Sequence, residues 1–254
     1  MTVKEVTAAF VIIGNEILSG RTKDANLNYL ATFLNERGIQ LREVRVIPDI
    51  TATIVETVNE LRAKFDYLFT SGGIGPTHDD ITSASIAAAF GTEVYRHPDA
   101  EKVLFDQYVP EDRTPARMKM ADVPRGATLI DNPVSKAPGF RIENVFTLAG
   151  VPKIFQAMLD ELAADLVGGE PVKSVTVTTN LGEGVVAEGL EVIQNDYPDM
   201  DIGSYPFFRS GVFGTSLVMR STSEDDLESA AEKVRGLIRS LGQEPLEGEL
   251  SKDD

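Results

Sequence analysis

One segment limits the fold of this chain more than any other. It reads Ser71-Gly72-Gly73-Ile74-Gly75-Pro76-Thr77-His78-Asp79-Asp80-Ile81-Thr82. The apolar run Tyr67-Leu68-Phe69 leads into it, and a helical pattern over 83–90 leaves it. Strand, glycine-rich turn and helix in this order are the parts of a sheet with crossover helices. Glycines let backbone amides approach a ligand closely and take up positive φ. A helix N-terminus adds free N–H groups and the positive end of a dipole, which suits a phosphate. Two adjacent carboxylates, Asp79 and Asp80, repel such an anion. They fit if a divalent metal lies between carboxylate and phosphate. Alternatively, one of them caps the helix.

The flanking sequence extends the pattern. Residues 8–13 form a continuous apolar run that reads as a strand buried on both faces, closed by Gly14-Asn15-Glu16. Asp24 precedes Leu27, Leu30, Ala31, Phe33 and Leu34, which share one helical face, and Gly38 stops that helix. A second strand spans 41–47, ending at Pro48-Asp49. Ile54, Val55, Val58 and Leu61 mark another helix, and 65–69 is the third strand. Alternating strands and helices argue for right-handed βαβ units and a parallel sheet. Helices over 98–109 and 115–121, a turn-rich loop over 132–140, a strand at 145–148 and a helix carrying Ile154, Phe155, Met158, Leu159 and Leu162 complete this part. Gly168-Gly169-Glu170-Pro171 has the chemistry of a linker. Beyond it the pattern is strand 174–179, helix 185–197, strands 202–208 and 212–220, and helix 224–241. The expected domains are therefore an α/β domain at 1–169, a small β-α-β-β-α domain at 170–242 and a solvated acidic tail at 243–254.

Composition removes several functions. With 24 Lys and Arg against 40 Asp and Glu, the net charge is -16, and no basic stripe suits nucleic acid. No apolar run approaches the roughly 20 residues of a membrane span, and residues 1–7 carry no signal-peptide core. The expected compartment is the cytoplasm. With no cysteine, disulfides, thiolate metal sites and cysteine nucleophiles are excluded.

Three acidic turns follow three successive strands: Glu16, then Asp49, then Asp79 with Asp80. In an open parallel sheet the carboxyl ends of the strands share one edge, where ligands bind. These four carboxylates are expected to meet there and to hold Mg²⁺, Mn²⁺ or Co²⁺ together with substrate phosphates. One of them activates water as general base. Taken singly, Glu16 reads equally as an exposed turn residue and Asp49 as a helix cap. Neither a P-loop nor a Gly-x-Ser-x-Gly elbow is present, and Gly73-Ile74-Gly75 lacks the third glycine of a dinucleotide fingerprint. Two histidines, His78 and His97, are too few for a His-rich zinc site.

The glycine turn resembles the signature of the molybdopterin-binding MoaB/MogA-like family. Its Gly-Pro-Thr-x-Asp-Asp form is similar to the CinA branch, the N-terminal part of competence/damage-inducible protein A. Gly14-Asn15-Glu16-Ile17-Leu18-Ser19-Gly20, Asp24-Ala25-Asn26, Ala137-Pro138-Gly139-Phe140 and Gly150-Val151-Pro152 resemble further elements of that branch, in order, from about Ala8 to Leu166. The resemblance implies a three-layer α/β/α domain with a mostly parallel sheet, which usually forms homo-oligomers. It implies a small KH-like α+β domain after Pro171. Asp80 and Asp49 fall at the two aspartates that support adenylyl transfer in MogA-like proteins. The CinA branch implies a metal-dependent pyrophosphatase acting on ADP-ribose and related nucleotides, and a similar domain is fused to FAD synthases in eukaryotes. Carried over by motif, Gly14, Asn26, Ser71, Gly72, Gly73, Gly75, Pro76, Thr77, Thr82, Pro138, Gly139 and Pro152 are candidate phosphate or substrate contacts. Glu16, Asp49, Asp79 and Asp80 are candidate metal ligands.

There are departures. Asn15 stands where the family usually has Asp, which removes one charge. The chain is too short to hold the C-terminal amidase of full-length CinA proteins. The KH-like part has no clear Gly-x-x-Gly between helices, so RNA is not an expected partner. Three readings follow: a divalent-metal-dependent nucleotide pyrophosphatase, a non-catalytic molybdopterin or nucleotide module, and MogA-like adenylyl transfer to molybdopterin.

Overall fold

The structure is a computed structural model that describes residues 5–209 and 211–248. The chain divides into two compact units, residues 1–170 and 171–254.

The first unit begins with β1 (Val6–Ile13), α1 (Asn15–Leu18), α2 (Asn26–Asn35), β2 (Ile39–Ile47), α3 (Thr51–Lys64), β3 (Tyr67–Ser71) and α4 (Thr82–Ala89). It continues through β4 (Val94–Arg96), α5 (Pro98–Gln107), α6 (Pro115–Met118), β5 (Asp122–Pro124), β6 (Thr128–Ile130), β7 (Gly139–Ile142), β8 (Val145–Leu148) and α7 (Pro152–Glu161). Six strands form one sheet in the order β2-β1-β3-β8-β7-β6. The first four run parallel, β7 pairs antiparallel with β8, and β6 pairs antiparallel with β7.

Strand β1 shows why the sheet is a central layer. Side chains alternate across a strand. Ala8, Phe10 and Ile12 enter one core with Leu30, Phe69, Phe146 and Phe155. Ala9, Val11 and Ile13 enter the other with Ile54, Val58, Leu61 and Ile86. Burial on both faces makes the strand apolar throughout, as in other parallel sheets covered by helices. α2 and α7 lie on the first face, with the Phe10 and Phe155 rings 5.8 Å apart.

Four short strands, β4 to β7, lie where the sequence suggested none. β4 and β5 pair as a two-stranded ribbon, three residues each. β6 pairs with β7, whose first two residues, Gly139 and Phe140, fall inside the segment expected to be loop. The helices expected over 98–109 and 115–121 are shorter. They end at Gln107 and Met118, with 3-10 turns at Pro110–Asp112 and Lys119–Ala121.

The second unit contains β9 (Lys173–Thr179), α8 (Glu183–Asp196), β10 (Asp201–Arg209), β11 (Val212–Ser221), α9 (Glu224–Ser240) and β12 (Leu246–Glu247). Its antiparallel sheet has the order β10-β11-β9-β12. Ser223 caps α9 by accepting from the Asp226 amide at 3.3 Å, and three acids fill the first turn, where the helix dipole favours them. Leu227, Ala230, Ala231, Val234 and Ile238 form its buried face. The expectation of a solvated acidic tail from 243 needs correction at Leu246–Glu247. These residues add a strand to β9, the Thr178 hydroxyl donates to the Gly248 carbonyl at 2.6 Å, and Arg235 binds Glu247 through two nitrogens at 2.8 and 3.1 Å. Residues 249–254 of that tail lie outside the described residues. Among the described residues, no helix is long and apolar enough to cross a membrane.

Candidate functional site

Strands β2, β1 and β3 are adjacent and parallel, so the turns after them share one edge. Glu16 and Asp49 lie at that edge, and so do Asp79 and Asp80. β7 runs against β8 with Phe140 opposite Thr147. The loop that ends at Pro138 therefore opens on the same edge as Gly150 and Pro152.

The glycine turn is built as a tight brace. Gly72 has φ +99, and a Cβ there would stand 2.1 Å from the Ile13 carbonyl oxygen. Gly73 has φ +68 and lies under the Thr82 hydroxyl. Only glycine meets both demands without strain. The Gly72 amide donates to the Leu148 carbonyl at 3.2 Å, which ties the turn to β8. Thr82, expected to contact phosphate, is fully buried and spends its polar groups on the turn. Its hydroxyl donates to the Gly72 carbonyl and its amide to the Gly73 carbonyl, both at 2.9 Å. Thr82 is thus a brace for the cradle. Ser71 is likewise buried at the end of β3. Gly75, Pro76, Thr77, His78 and Asp79 lie further along the turn and reach solvent.

Neither aspartate caps α4. The helix starts after Ile81 with no side-chain cap. Instead, Asp80 Oδ2 accepts from the Thr77 amide at 2.8 Å and from its hydroxyl at 2.5 Å. Asp79 is exposed, and its carboxyl is held below the usual carboxylate range. The Thr77 hydroxyl is the largest cause, followed by its own backbone amide, with the charges of His78 and Lys119 adding. One hydroxyl proton cannot serve both acids, and the 2.5 Å bond gives it to Asp80. The amide and the Lys119 ammonium are therefore the causes that act on Asp79 throughout.

Asp49 does not cap α3, whose N-cap Ile50 has no side-chain bond. Its Oδ2 accepts from the Asn15 amide at 2.9 Å and so joins the β2 turn to the β1 turn. This bond uses the backbone of Asn15 and is indifferent to Asn or Asp there. The Glu16 carboxylate folds back over Gly14, 2.6 Å from where a Cβ on that residue would stand.

The four carboxylates share an edge but do not converge. Among the described residues no three His, Asp or Glu side chains are grouped to hold an ion. One oxygen each of Asp49 and Asp80 is already bonded to an amide. As arranged, these side chains do not fit a preformed metal centre.

Asn26 is 3% exposed. Its Nδ2 donates to the Gly150 carbonyl at 2.9 Å, while its Oδ1 is buried and finds no partner among the described residues. The backbone of Gly150 in turn lies against Gly72. Pro152 is exposed at the first turn of α7. Pro138 helps line a cavity of about 360 Å³ with Asp131, Lys136 and Glu161, and Gly139 is buried at the start of β7.

Two lysines carry signals that motif spacing did not raise. Lys136 has φ +64, a backbone conformation rare outside glycine. Asn132 accepts from the amides of Val134 and Ser135 and donates to the Ala137 carbonyl, which fixes that loop. Lys119 donates to the Thr77 and Asp80 carbonyls, at 2.9 and 2.8 Å. A sequence offers no hint of the second, because the partners are about 40 residues apart.

Residues 9–168 match the family described as "Probable molybdopterin binding domain". The chain belongs to that family. Its first unit is a MoaB/MogA-like domain with a mixed, mostly parallel sheet, followed by an α+β unit. Residues 171–243 match a second family, "FAD synthase, middle domain". The crystal structure of the protein CinA from Thermoplasma acidophilum, of unknown function, superposes with a TM-score of 0.60 at 34% identity, covering 64% of this chain and 99% of that one. A protein of Pyrobaculum arsenaticum is 32% identical over 94% of this chain and 96% of its own length. A "Probable FAD synthase" of Caenorhabditis elegans is 31% identical over 91% of this chain. The chain spans about half the length of the FAD synthase relatives it matches.

Proposed function

We propose that the molybdopterin-binding-type unit hydrolyses a phosphoanhydride bond in a nucleotide of the ADP-ribose or dinucleotide class. The observation that carries this reading is the glycine turn of β3, held rigidly by Thr82 and Leu148 and ending in Asp80 at the open sheet edge. Cations stand around the same edge: Arg21 and Lys23 after β1, Lys136 before β7 and Lys153 after β8. Long-range attraction from such groups raises the local concentration of an anionic ligand, even on an acidic protein.

The chemistry uses the chain's own groups. Asp80 Oδ2 is fixed by Thr77, and Oδ1 accepts no hydrogen bond among the described residues, so a water can donate to it. The water oxygen adds to one phosphorus as the bridging P–O bond breaks, giving a nucleoside monophosphate and a sugar phosphate. The turn amides of Ile74 and Gly75 bind the phosphate oxygens. Asp49 fixes the neighbouring β1 turn through Asn15. A divalent cation enters this reading with the substrate phosphates, because the carboxylates alone do not form its site.

The test is product analysis with ADP-ribose, FAD and related dinucleotides, with and without Mg²⁺, Mn²⁺ or Co²⁺. Release of AMP, abolished by Asp80→Asn, is the expected result. No turnover of any of them would sink the reading.

A second reading is a binding module for a nucleotide or molybdopterin. It is favoured by the dispersed carboxylates and by the internal bonding of Asp80. It predicts tight pterin or nucleotide binding that survives EDTA and Asp80→Asn. The FAD synthase relatives add a third context, in which this unit processes or senses the flavin nucleotide of a larger protein.

A further inference from the structure

Lys119 leaves the 3-10 turn Lys119–Ala121 and reaches the acidic turn. Its Nζ donates to the Thr77 carbonyl at 2.9 Å and to the Asp80 carbonyl at 2.8 Å. The side chain is half-buried, and with Gly75 and Asp80 it lines a small cavity of about 120 Å³. Asp122 lines the same cavity, but its carboxylate is bonded to Arg96. An ammonium has three N–H donors. Two of them are spent on backbone carbonyls of one four-residue turn that also holds two acids. A lysine serving only as a surface ion pair has no need of that geometry.

We propose that Lys119 is the resident cation of the acidic turn: it fixes the 77–80 backbone, so that Asp80 is held at the crevice, and offsets the charge of Asp79 and Asp80 toward an incoming phosphate. Two carboxylates and one ammonium leave one negative charge where the acids alone would leave two. The anion then approaches without a metal bound beforehand. Lys119 acts through the turn, as a positioning residue. The proposal rests on the reading of this edge as a phosphoanhydride site and adds the group that makes the acids compatible with phosphate.

The experiment uses the full chain with Lys119→Met and Lys119→Arg. Its first arm needs no ligand. Hydrogen exchange at the amides of Thr77 and Asp80 should rise about tenfold or more in Lys119→Met, while β1 amides keep their protection. Its second arm measures ADP-ribose affinity without added metal and turnover with Mg²⁺. In Lys119→Met, Kd and KM should rise about tenfold, more than kcat falls. Lys119→Arg, which keeps both the positive charge and N–H donors, should recover part of the loss, which lost side-chain packing alone would not allow. Unchanged exchange at 77–80 in Lys119→Met overturns the clasp. Equal ADP-ribose affinity in wild type and Lys119→Met overturns the charge role. If the wild type neither binds nor cleaves ADP-ribose, the functional reading fails, and the exchange arm alone decides the lysine.

Discussion

The β1 lip and the β3 lip of the sheet edge carry the same number of acids and are built very differently. On the β1 side, Glu16 sits on the turn after β1 and Asp49 on the turn after β2, joined where the Asn15 amide donates to Asp49 and the Gly14 amide to the Ile47 carbonyl. Asp79 and Asp80 sit on a turn held by Thr77, Thr82, Lys119 and the end of β8. Acidity alone therefore does not distinguish a site. Rigidity and a local cation do, because a fixed carboxylate needs no reorganisation when a ligand arrives. On the proposed reading the β3 lip acts and the β1 lip frames it.

The sharpest way to break this contrast is to place the same methyl group on both lips. Gly72→Ala puts a Cβ 2.1 Å from the Ile13 carbonyl at φ +99. It should cost about 2–4 kcal/mol, read from urea unfolding. Gly14→Ala meets only the flexible Glu16 carboxylate, on extended backbone at φ 168, and should cost under about 1 kcal/mol. Equal losses would mean the two turns are equally tight.

A smaller effect separates the acids. Asp80→Asn keeps an oxygen for the Thr77 amide but removes the base, so kcat should fall about a hundredfold or more. Asp49→Asn keeps its bond to Asn15 and should cost about tenfold, from the lost charge alone. Steady-state kinetics with ADP-ribose measure both, and a larger loss at Asp49 would reverse the roles of the two lips.

The smallest effect is a control in the other unit. Arg235 holds the Glu247 carboxyl below its usual range. A carboxylate depressed in the folded state stabilises above its unfolded pKa, about 4.3 for Glu. That contribution disappears as pH falls through the lower folded value. Wild type should therefore lose thermal stability in that acid window faster than Arg235→Gln does, with the two curves parallel at neutral pH. Parallel curves throughout would show that Glu247 adds nothing.

Much of the first unit is legible from residue order. The run 8–13 announces a strand with two buried faces, and the glycine turn with its flanks announces the β3–α4 junction. Short strands escape such reading. Three residues, as in β4, β5 and β6, are too few to show an alternation, and each is stabilised by a partner distant in sequence. The same holds for β12, whose acidic surroundings read as solvated until Arg235 and Thr178 are seen to hold it.

By itself, the sequence determined the family, the order of the longer strands and helices, and the edge on which the acids stand. The family follows from the resemblance of the turn motifs; the elements and the edge follow from local periodicity and the handedness of βαβ units. The tertiary structure decided what each polar group does there. It turned Thr82 from a phosphate contact into a brace, freed Asp80 and Asp49 from capping, spread the carboxylates apart and brought Lys119 to the acidic turn. Hydrogen-bond partners in space leave no trace in spacing, because a side chain chooses among all the groups that folding brings within 3 Å, whatever their distance along the chain.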